Sequence, residues 1–264
     1  MARRSDRRHR QDRAGAEVTP ARLLDTHCHV AAYADPVAML RAADEAGIAI
    51  VAVTEDPDEY RRLRTRLGRR DHVRVALGLH PLRAASFSPN DLARFFRLVP
   101  QTRWIGEVGL DYSRAGVSTA KAQQRVFDVV LTEAQPGRHP LTVHSRGAEK
   151  DVIGRLSDAG LPAILHWYTG PLGLVDDALQ AGLYFSINIA MTRSRKFPGL
   201  IQAIPRDRVL LETDGPYAKN GGRPVHPDEL ESVALALARV WGTDLEDSTR
   251  VLVTNQERFL SSTR

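Results

Sequence analysis

The chain has 264 residues, a length that suits one large domain, with a net charge of +5 and a hydrophobic fraction of 42%. Its single cysteine, Cys28, excludes an internal disulfide and favours a reducing, cytoplasmic location. No apolar run approaches the ~20 residues that a membrane-spanning helix needs, so we expect no membrane association.

The first twenty residues carry six arginines against three acidic residues, a net charge of +3. They show no apolar periodicity with which to pack. We expect a basic, disordered N-terminal tail over residues 1–20, ahead of a single domain at 21–264. An arm that binds phosphate groups is the alternative interpretation. No apolar segment follows Arg3-Arg4, which argues against a secretion signal.

Eight β-prone runs follow, with helical patterns between them. The predicted strands are 23–30, 48–54, 73–80, 103–110, 140–144, 162–166, 183–189 and 208–213. The predicted helices are 36–46, one that begins at Ser88, 121–134, 148–159, 172–181, 227–241 and 245–260. Strands that alternate with helices predict a parallel sheet with right-handed crossovers.

Side chains of the types that bind metals follow strands one, three, four, five, six and eight. An open, doubly wound sheet would gather its site at one switch point. In a closed barrel, the carboxyl ends of all strands converge on one face. The sequence therefore predicts an α/β fold, a (β/α)8 TIM barrel of the metal-dependent hydrolase type.

The first strand ends in Asp25-Thr26-His27-Cys28-His29. His27 and His29 are two residues apart on an extended chain, so both should point to one face and Cys28 to the other. We interpret the two histidines as metal ligands and Cys28 as a buried, apolar filler. Glu107 lies between two glycines in Gly106–Asp111, where the backbone can approach a ligand closely and a carboxylate could bridge two cations.

His144 and His166 each close an apolar run, and Asp214 closes the last one, with Glu212 on the same inward face. A lone histidine after such a run is more often a core residue, but two at equivalent positions favour a shared site. Imidazole and carboxylate together suit Zn²⁺, Mn²⁺ or a related divalent ion. The candidate ligands exceed the four of one tetrahedral site, so we expect two cations.

The ordered set Asp-x-His-x-His, Gly-Glu-Val-Gly-Leu-Asp, His-Ser-Arg, His-Trp-Tyr-Thr-Gly and Glu-Thr-Asp-Gly-Pro-Tyr resembles the TatD family of metal-dependent deoxyribonucleases, over about residues 23–260. The resemblance implies a β/α barrel, a divalent metal centre and hydrolysis of DNA, often from a 3′ end. By position, the implied metal ligands are His27, His29, Glu107, His144, His166 and Asp214. His80, in Gly78-Leu79-His80-Pro81, matches a family histidine near the scissile phosphate.

Two motifs depart from the general family pattern. His166-Trp167-Tyr168 stands where His-Cys-Phe is usual, and residues 219–224 replace an Arg-Gly-Lys-x-Asn-Glu-Pro stretch. With Met191-x-x-Ser194 and Glu-Thr-Asp-Gly-Pro-Tyr, these variants resemble the TatD-related branch of Qat anti-phage defence operons. That likeness implies a role in anti-phage defence and partner proteins from the same operon, whereas the family as a whole implies single-stranded DNA or 3′ ends as substrate.

The nuclease hypothesis assigns roles to three side chains. The cations would lower the pKa of the attacking water, and Asp214 would orient or deprotonate it. Arg146 would bind a phosphate oxygen through its planar guanidinium, although a rim ion pair with Glu149 is the alternative. His80 would stabilise charge on the phosphoryl or leaving oxygen.

Other functions fit parts of the pattern. A hydrolase of a small ester, amide or lactone could use the same barrel and metals. A non-catalytic barrel would lack one or two of the ligands, and the sequence contains all of them. Gly221-Gly222 lacks the Lys-Ser/Thr that follows a phosphate-binding loop, so we interpret it as a turn.

Deleting residues 1–20 should leave folding intact, because the tail has no apolar pattern with which to pack. If the tail contacts DNA, the truncated protein should also bind DNA more weakly at low salt, with a flatter salt dependence. Thermal melting and binding titrations over a range of salt would measure both. A truncated protein that aggregates, or that melts without a cooperative transition, would contradict the expectation.

Overall fold

The computed structural model describes residues 22–262, which form one barrel of eight parallel strands surrounded by helices. The strands are β1 (Leu23–Cys28), β2 (Ile48–Ala52), β3 (Val73–Val75), β4 (Ile105–Gly109), β5 (Leu141–His144), β6 (Ala163–His166), β7 (Tyr184–Ile187) and β8 (Val209–Leu211). The helices are α1 (Pro36–Glu45), α2 (Pro57–Leu67), α3 (Pro89–Leu98), α4 (Ala120–Glu133), α5 (Glu149–Ala159), α6 (Val175–Gln180), α7 (Phe197–Ala203), α8 (Leu230–Trp241) and α9 (Leu245–Ser261). The predicted tail lies outside the described residues and stays a prediction.

The strands pair in the order β3-β2-β1-β8-β7-β6-β5-β4, and β1 pairs with β8 in parallel. The ring closes between the segment after β3 and β4, where Leu77 bridges Ile105. There the Leu77 amide donates to the Trp104 carbonyl, and the Gly106 amide donates to the Leu77 carbonyl. This closure confirms the predicted TIM barrel and brings all eight carboxyl ends to one face.

The interior of the barrel is filled by side chains. Leu24, Val51, Ile164 and Leu210 form one apolar cluster together with Phe259 of α9. Since β2 and β6 lie on opposite sides of the ring, these side chains fill its centre. A larger cluster packs the helices against the outside of the sheet and contains Cys28, which is fully buried as predicted. Among the described residues, no helix is long and apolar enough to cross a membrane.

Helices α2 and α7 were not predicted from the sequence. They complete the alternation of strands and helices around the barrel. The side chain of Asp56 caps α2 by accepting from the Glu59 amide at 2.7 Å, Pro57 occupies its first turn, and Gly68 at φ +61° ends it. The predicted helix start at Ser88 is confirmed, since Ser88 and Asp91 form a reciprocal capping box.

All eight strands are shorter than predicted, and the third is shortened most. Regular pairing of β3 ends at Val75, after which one bridge at Leu77 and further backbone and side-chain hydrogen bonds hold the chain as far as His80. Gly221 and Gly222, both with positive φ, form the turn of a small hairpin between β9 (Lys219–Asn220) and β10 (Arg223–Pro224). The interpretation of these glycines as a turn is confirmed.

Gly78 has no room for a side chain, because a Cβ there would meet the Thr54 carbonyl oxygen at 1.6 Å. That carbonyl accepts the Glu107 amide at 3.0 Å, so any displacement reaches the centre of the predicted site. We expect Gly78→Ala to lower the free energy of unfolding by at least about 2 kcal/mol. Gly154→Ala, at an open position within α5, should raise it by about 0.5–1 kcal/mol. Denaturant unfolding of both variants measures the contrast, and equal stabilities would contradict it.

Candidate metal centre

Two histidines at the end of β1 point into one cavity at the carboxyl face. Their Nε2 atoms lie 3.3 Å apart. Nδ1 of His27 lies 2.7 Å from the Thr142 hydroxyl of β5, so this contact fixes the ring and turns Nε2 of His27 towards the cavity. Both histidines are buried, as the alternation on β1 predicted.

Glu107 lies at the centre of the cavity, and each of its carboxylate oxygens faces a different pair of histidines. Oε2 lies 3.5 Å from Nε2 of His27 and 3.2 Å from Nε2 of His29. Oε1 lies 2.7 Å from Nδ1 of His144 and 3.1 Å from Nε2 of His166. A single buried carboxylate therefore joins donors from β1, β5 and β6.

Asp214 completes the half of the site that contains His29. Its Oδ1 lies 3.4 Å from Nε2 of His29, and its amide donates to the His27 carbonyl at 2.8 Å. The fully buried Asp25 supports this arrangement, since it accepts from the amides of His27 and Thr213 at 3.1 and 3.0 Å. Burial raises the pKa of Asp25 to about 7, although the hydrogen bonds with Thr213 oppose the shift. Asp25 thus ties β1 to β8 and positions ligand-type residues of both.

Asp111 acts on His144, a role that the sequence analysis did not assign. Its Oδ2 lies 2.8 Å from Nε2 of His144, which leaves Nδ1 of that ring facing the cavity. Burial opposes ionisation of Asp111, but hydrogen bonds with His144 and Ser113 hold its pKa at about 2. The signal was present in the sequence, because Asp111 ends the same motif that contains Glu107.

Glu212 is fully buried behind His166. It accepts from the Trp167 amide and from Nδ2 of Asn188, both at 2.9 Å, and from the Ser186 hydroxyl. Its Oε2 lies 3.7 Å from Nδ1 of His166. Glu212 therefore holds the turn that follows β6 and presents a carboxylate to the outer nitrogen of a candidate ligand. Ser186 and Asn188 gave no signal in the sequence, since short polar residues at strand ends are common.

The cavity stabilises positive charge. Burial lowers the pKa of His29, but hydrogen bonds with Asp214 and Glu107 outweigh it and raise this pKa to about 10. Burial would likewise raise the pKa of Glu107, yet the neighbouring His80 and His166 keep it well below its usual range. A cation held by these groups would meet ionised carboxylates.

The side chains that line the cavity have donor atoms suited to binding divalent cations. Three groups have donor atoms within 4.8 Å of one another, namely His27, His29 and Asp214, then His27, Glu107 and His166, and finally His80, Glu107 and His144. Neutral imidazoles and carboxylates are the donors that Zn²⁺ and Mn²⁺ accept. Nδ1 of His166 is buried without a hydrogen-bond partner among the described residues, and Oε2 of Glu212, 3.7 Å away, is the carboxylate oxygen that faces it.

His80 differs from the other histidines in how its ring is fixed. Nδ1 of His80 accepts the Leu82 amide at 3.2 Å, so in the neutral ring Nε2 carries the hydrogen. Nε2 lies 3.2 Å from Oε2 of Glu107. A nitrogen that carries a hydrogen cannot also bind a metal, so this geometry makes His80 a hydrogen-bond donor to the cavity rather than a ligand.

The site opens into a cavity of about 380 Å³, which Arg146, Trp167 and Tyr217 also line. Arg146 is exposed, and no carboxylate of residues 22–262 lies within ion-pair distance of it. Glu149 accepts the Gly147 amide at 3.1 Å, so the alternative rim pair with Arg146 does not form. Tyr217 is 53% exposed and packs edge-on against His29. A larger cavity beside α5 has no histidine in its lining.

Comparisons with known proteins agree with this geometry. Residues 24–261 match the family model of TatD-related DNases. The chain is 30% identical to a mouse protein described as putative deoxyribonuclease TATDN3, over 90% of this chain and 87% of that protein. It is 28% identical to the uncharacterized metal-dependent hydrolase YabD of Bacillus subtilis, over 90% and 98%. Among solved structures, the Escherichia coli TatD homologue YjjV is similar, with a TM-score of 0.82, 25% identity and coverage of 91% and 98%.

Glu107→Gln should lower the affinity for cations at the whole site, because the two oxygens of the Glu107 carboxylate face both pairs of histidines.

Changing His27 and His29 to Ala should abolish hydrolysis and reduce metal content, while the candidate ligands around His144 and His166 remain. Elemental analysis of purified variants, with melting curves to confirm folding, measures this. His72→Ala, at the opposite end of the barrel, is the matched control. Wild-type metal content in Glu107→Gln would refute the shared-carboxylate geometry.

Proposed function

The chain belongs to the TatD-related DNase family of metal-dependent hydrolases, and from that premise we propose that it hydrolyses phosphodiester bonds in DNA. The observation that carries the proposal is the Glu107 carboxylate, buried between two pairs of histidines at the carboxyl face of the barrel. We further propose that the site holds two divalent cations, with Glu107 contributing to both. His27, His29 and Asp214 would hold one cation, and His144 and His166, whose nitrogens lie 3.3 Å apart, would hold the other.

Bound cations would supply charge that draws an attacking water towards ionisation and neutralises a phosphate oxygen. The chain itself supplies the proton acceptor. Asp214 keeps a low pKa despite its burial, because of its hydrogen bond with His29, and can therefore accept a hydrogen bond from water. Its amide is fixed to the His27 carbonyl, so the carboxylate is held in place before substrate arrives.

Two further side chains support a substrate that contains a phosphate group rather than a neutral ester. His80 presents an Nε2 hydrogen to the cavity, where it can donate to a phosphoryl or leaving oxygen. Arg146 lines the same cavity and has no carboxylate to neutralise it within the described chain, so its guanidinium can take a phosphate oxygen. Both support a phosphodiester substrate over a small ester, amide or lactone.

The residues at the mouth of the cavity favour a single strand, or the end of a strand, as substrate. Tyr217 and Trp167 place aromatic surface beside the metal ligands, and nucleobases of single strands stack on such rings. A volume of about 380 Å³ is at the scale that encloses one small ligand. We therefore propose cleavage at the end of a single DNA strand, and the family resemblance is the ground for proposing the 3′ end.

The motif variants after β6, β7 and β8 support membership of the branch found in Qat anti-phage defence operons. On that basis we propose a role in anti-phage defence, together with partner proteins from the same operon. A cytoplasmic location rests on the single, buried cysteine.

Digestion of end-labelled single- and double-stranded DNA, with Mg²⁺, Mn²⁺ or EDTA, tests the function. We expect metal-dependent shortening of the single strand from its 3′ end and no product in EDTA. The same preparations are assayed in parallel on aryl esters and lactones. Hydrolysis of those compounds without any cleavage of DNA would replace the nuclease with the alternative hydrolase.

Arg146→Ala should reduce kcat/KM for DNA by roughly 30- to 1000-fold, about 2–4 kcal/mol of transition-state stabilisation, without loss of metal. Arg146→Lys should also lose activity, because Lys keeps the charge but not the planar fork. Arg125→Lys, on an exposed face of α4, is the matched control. Steady-state kinetics and elemental analysis decide the role. Unchanged rates would make Arg146 a surface charge, and lost metal would make it structural.

A further inference from the structure

Positive charge is concentrated in one short segment of the chain. Residues 61–74 contain seven arginines and one aspartate, a net charge of +6, whereas the whole chain has +5. The rest of the protein is therefore nearly neutral, with a net −1. The segment covers most of α2 and the turn that leads into β3.

Part of this segment lines a pocket of about 350 Å³, which we call the basic pocket. Its lining includes five arginines, namely Arg64, Arg69, Arg70, Arg74 and Arg103. None of the described residues that line it is Asp or Glu. Five guanidinium groups around one concavity, without a carboxylate in its wall, repel one another unless an anion lies between them.

Arg74 and Arg64 have structural contacts. The guanidinium of Arg74 donates to the carbonyls of Arg70, Asp71 and Val73 at 3.0–3.1 Å and so shapes the turn before β3. Arg64 donates to the Tyr60 hydroxyl at 3.0 Å and lies over that ring. These contacts give the pocket a fixed wall.

Arg69 and Arg70 have no such role. Within residues 22–262, neither side chain forms an ion pair, and Nε of Arg70 is buried without a hydrogen-bond partner. A buried guanidinium nitrogen without an acceptor is costly unless a ligand supplies one. Planar guanidinium groups match phosphate oxygens in a bidentate manner.

The basic pocket lies at the opposite end of the barrel from the metal centre. Arg69 and Arg70 precede β3, and Arg103 precedes β4, so all three belong to the amino ends of the strands. Residues at that face take no part in the chemistry at the carboxyl ends.

We propose that the basic pocket binds phosphate groups of single-stranded DNA, as a second contact with the strand remote from the metal centre. The inference rests on DNA being the substrate. Phosphate contacts carry no sequence information, so the pocket would raise affinity for long strands whatever their sequence. A substrate too short to reach it would gain nothing.

The test measures binding of a long, fluorescently labelled oligo-dT by anisotropy at several salt concentrations, in EDTA so that no hydrolysis occurs. Each phosphate contact on a single strand contributes about 0.7 to the slope of log K against log salt. Arg69→Ala with Arg70→Ala should therefore lower the slope by about 1.4, and Arg69→Lys with Arg70→Lys should largely keep it. Cleavage of a dinucleotide should be unchanged in both.

Arg125→Ala with Arg239→Ala is the matched control, because it removes the same charge from exposed faces of α4 and α8. An equal loss of slope in this control would reduce the effect to net charge and overturn the proposal. So would an unchanged slope in the pocket variant. If the Arg70 variant melts early, exposed Arg69→Ala alone should lower the slope by about 0.7.

A separate titration with inorganic pyrophosphate distinguishes the source of the phosphate. Tight pyrophosphate binding that the pocket variant loses, with DNA binding unaffected, would make the pocket a small-anion site and overturn the DNA assignment.

In a further outcome, the wild-type protein cleaves no DNA while the pocket variant still lowers the slope of the salt dependence as expected. That result would refute the nuclease proposal and leave the role of the pocket in DNA binding intact.

Discussion

The structure depends on one buried charge, the carboxylate of Glu107. The Glu107 carboxylate is 2% exposed and would be destabilising alone, because transferring an unpaired anion out of water costs several kcal/mol. Histidines from β1, β5 and β6 surround it, and Oε1 and Oε2 each face two of them. These rings reach it only when the barrel is closed, so the geometry of the site depends on the closure of the fold.

Outer contacts determine which nitrogen of each histidine faces the cavity. The Thr142 hydroxyl contacts Nδ1 of His27, and the Asp111 carboxylate contacts Nε2 of His144. The two rings therefore present different nitrogens to the cavity, Nε2 in His27 and Nδ1 in His144. Asp25 spans β1 and β8 in a similar way. A hydrogen bond behind a ligand fixes its tautomer and its direction, so loss of these partners would loosen the site even with every ligand present.

The sequence predicted the barrel and the convergence of the candidate ligands, because both follow from periodicity and from residue types at strand ends. Helices α2 and α7 were not named. Helix α2 carries six charged side chains in eleven residues and buries Tyr60, Leu63 and Leu67 at helical spacing, and Asp56, Pro57 and Gly68 mark its ends. The support from Asn188 and Ser186 was not predictable, since it depends on which loop lies behind Glu212. Local pattern locates strand ends, but the contacts behind them are set by tertiary packing.

His80 shows why residue type alone does not assign a role at this site. It lies as close to Glu107 as His29 does, with 3.2 Å in both cases, and it belongs to one of the three groups with metal-binding geometry. Its Nδ1 accepts a backbone amide, however, which a ring carrying a hydrogen at Nδ1 could not do. Nε2 must then carry the hydrogen in the neutral ring, and a lone pair for a cation is lacking there. The same side chain is thereby committed to donating a hydrogen bond, which is the property that negative charge developing on a phosphate requires.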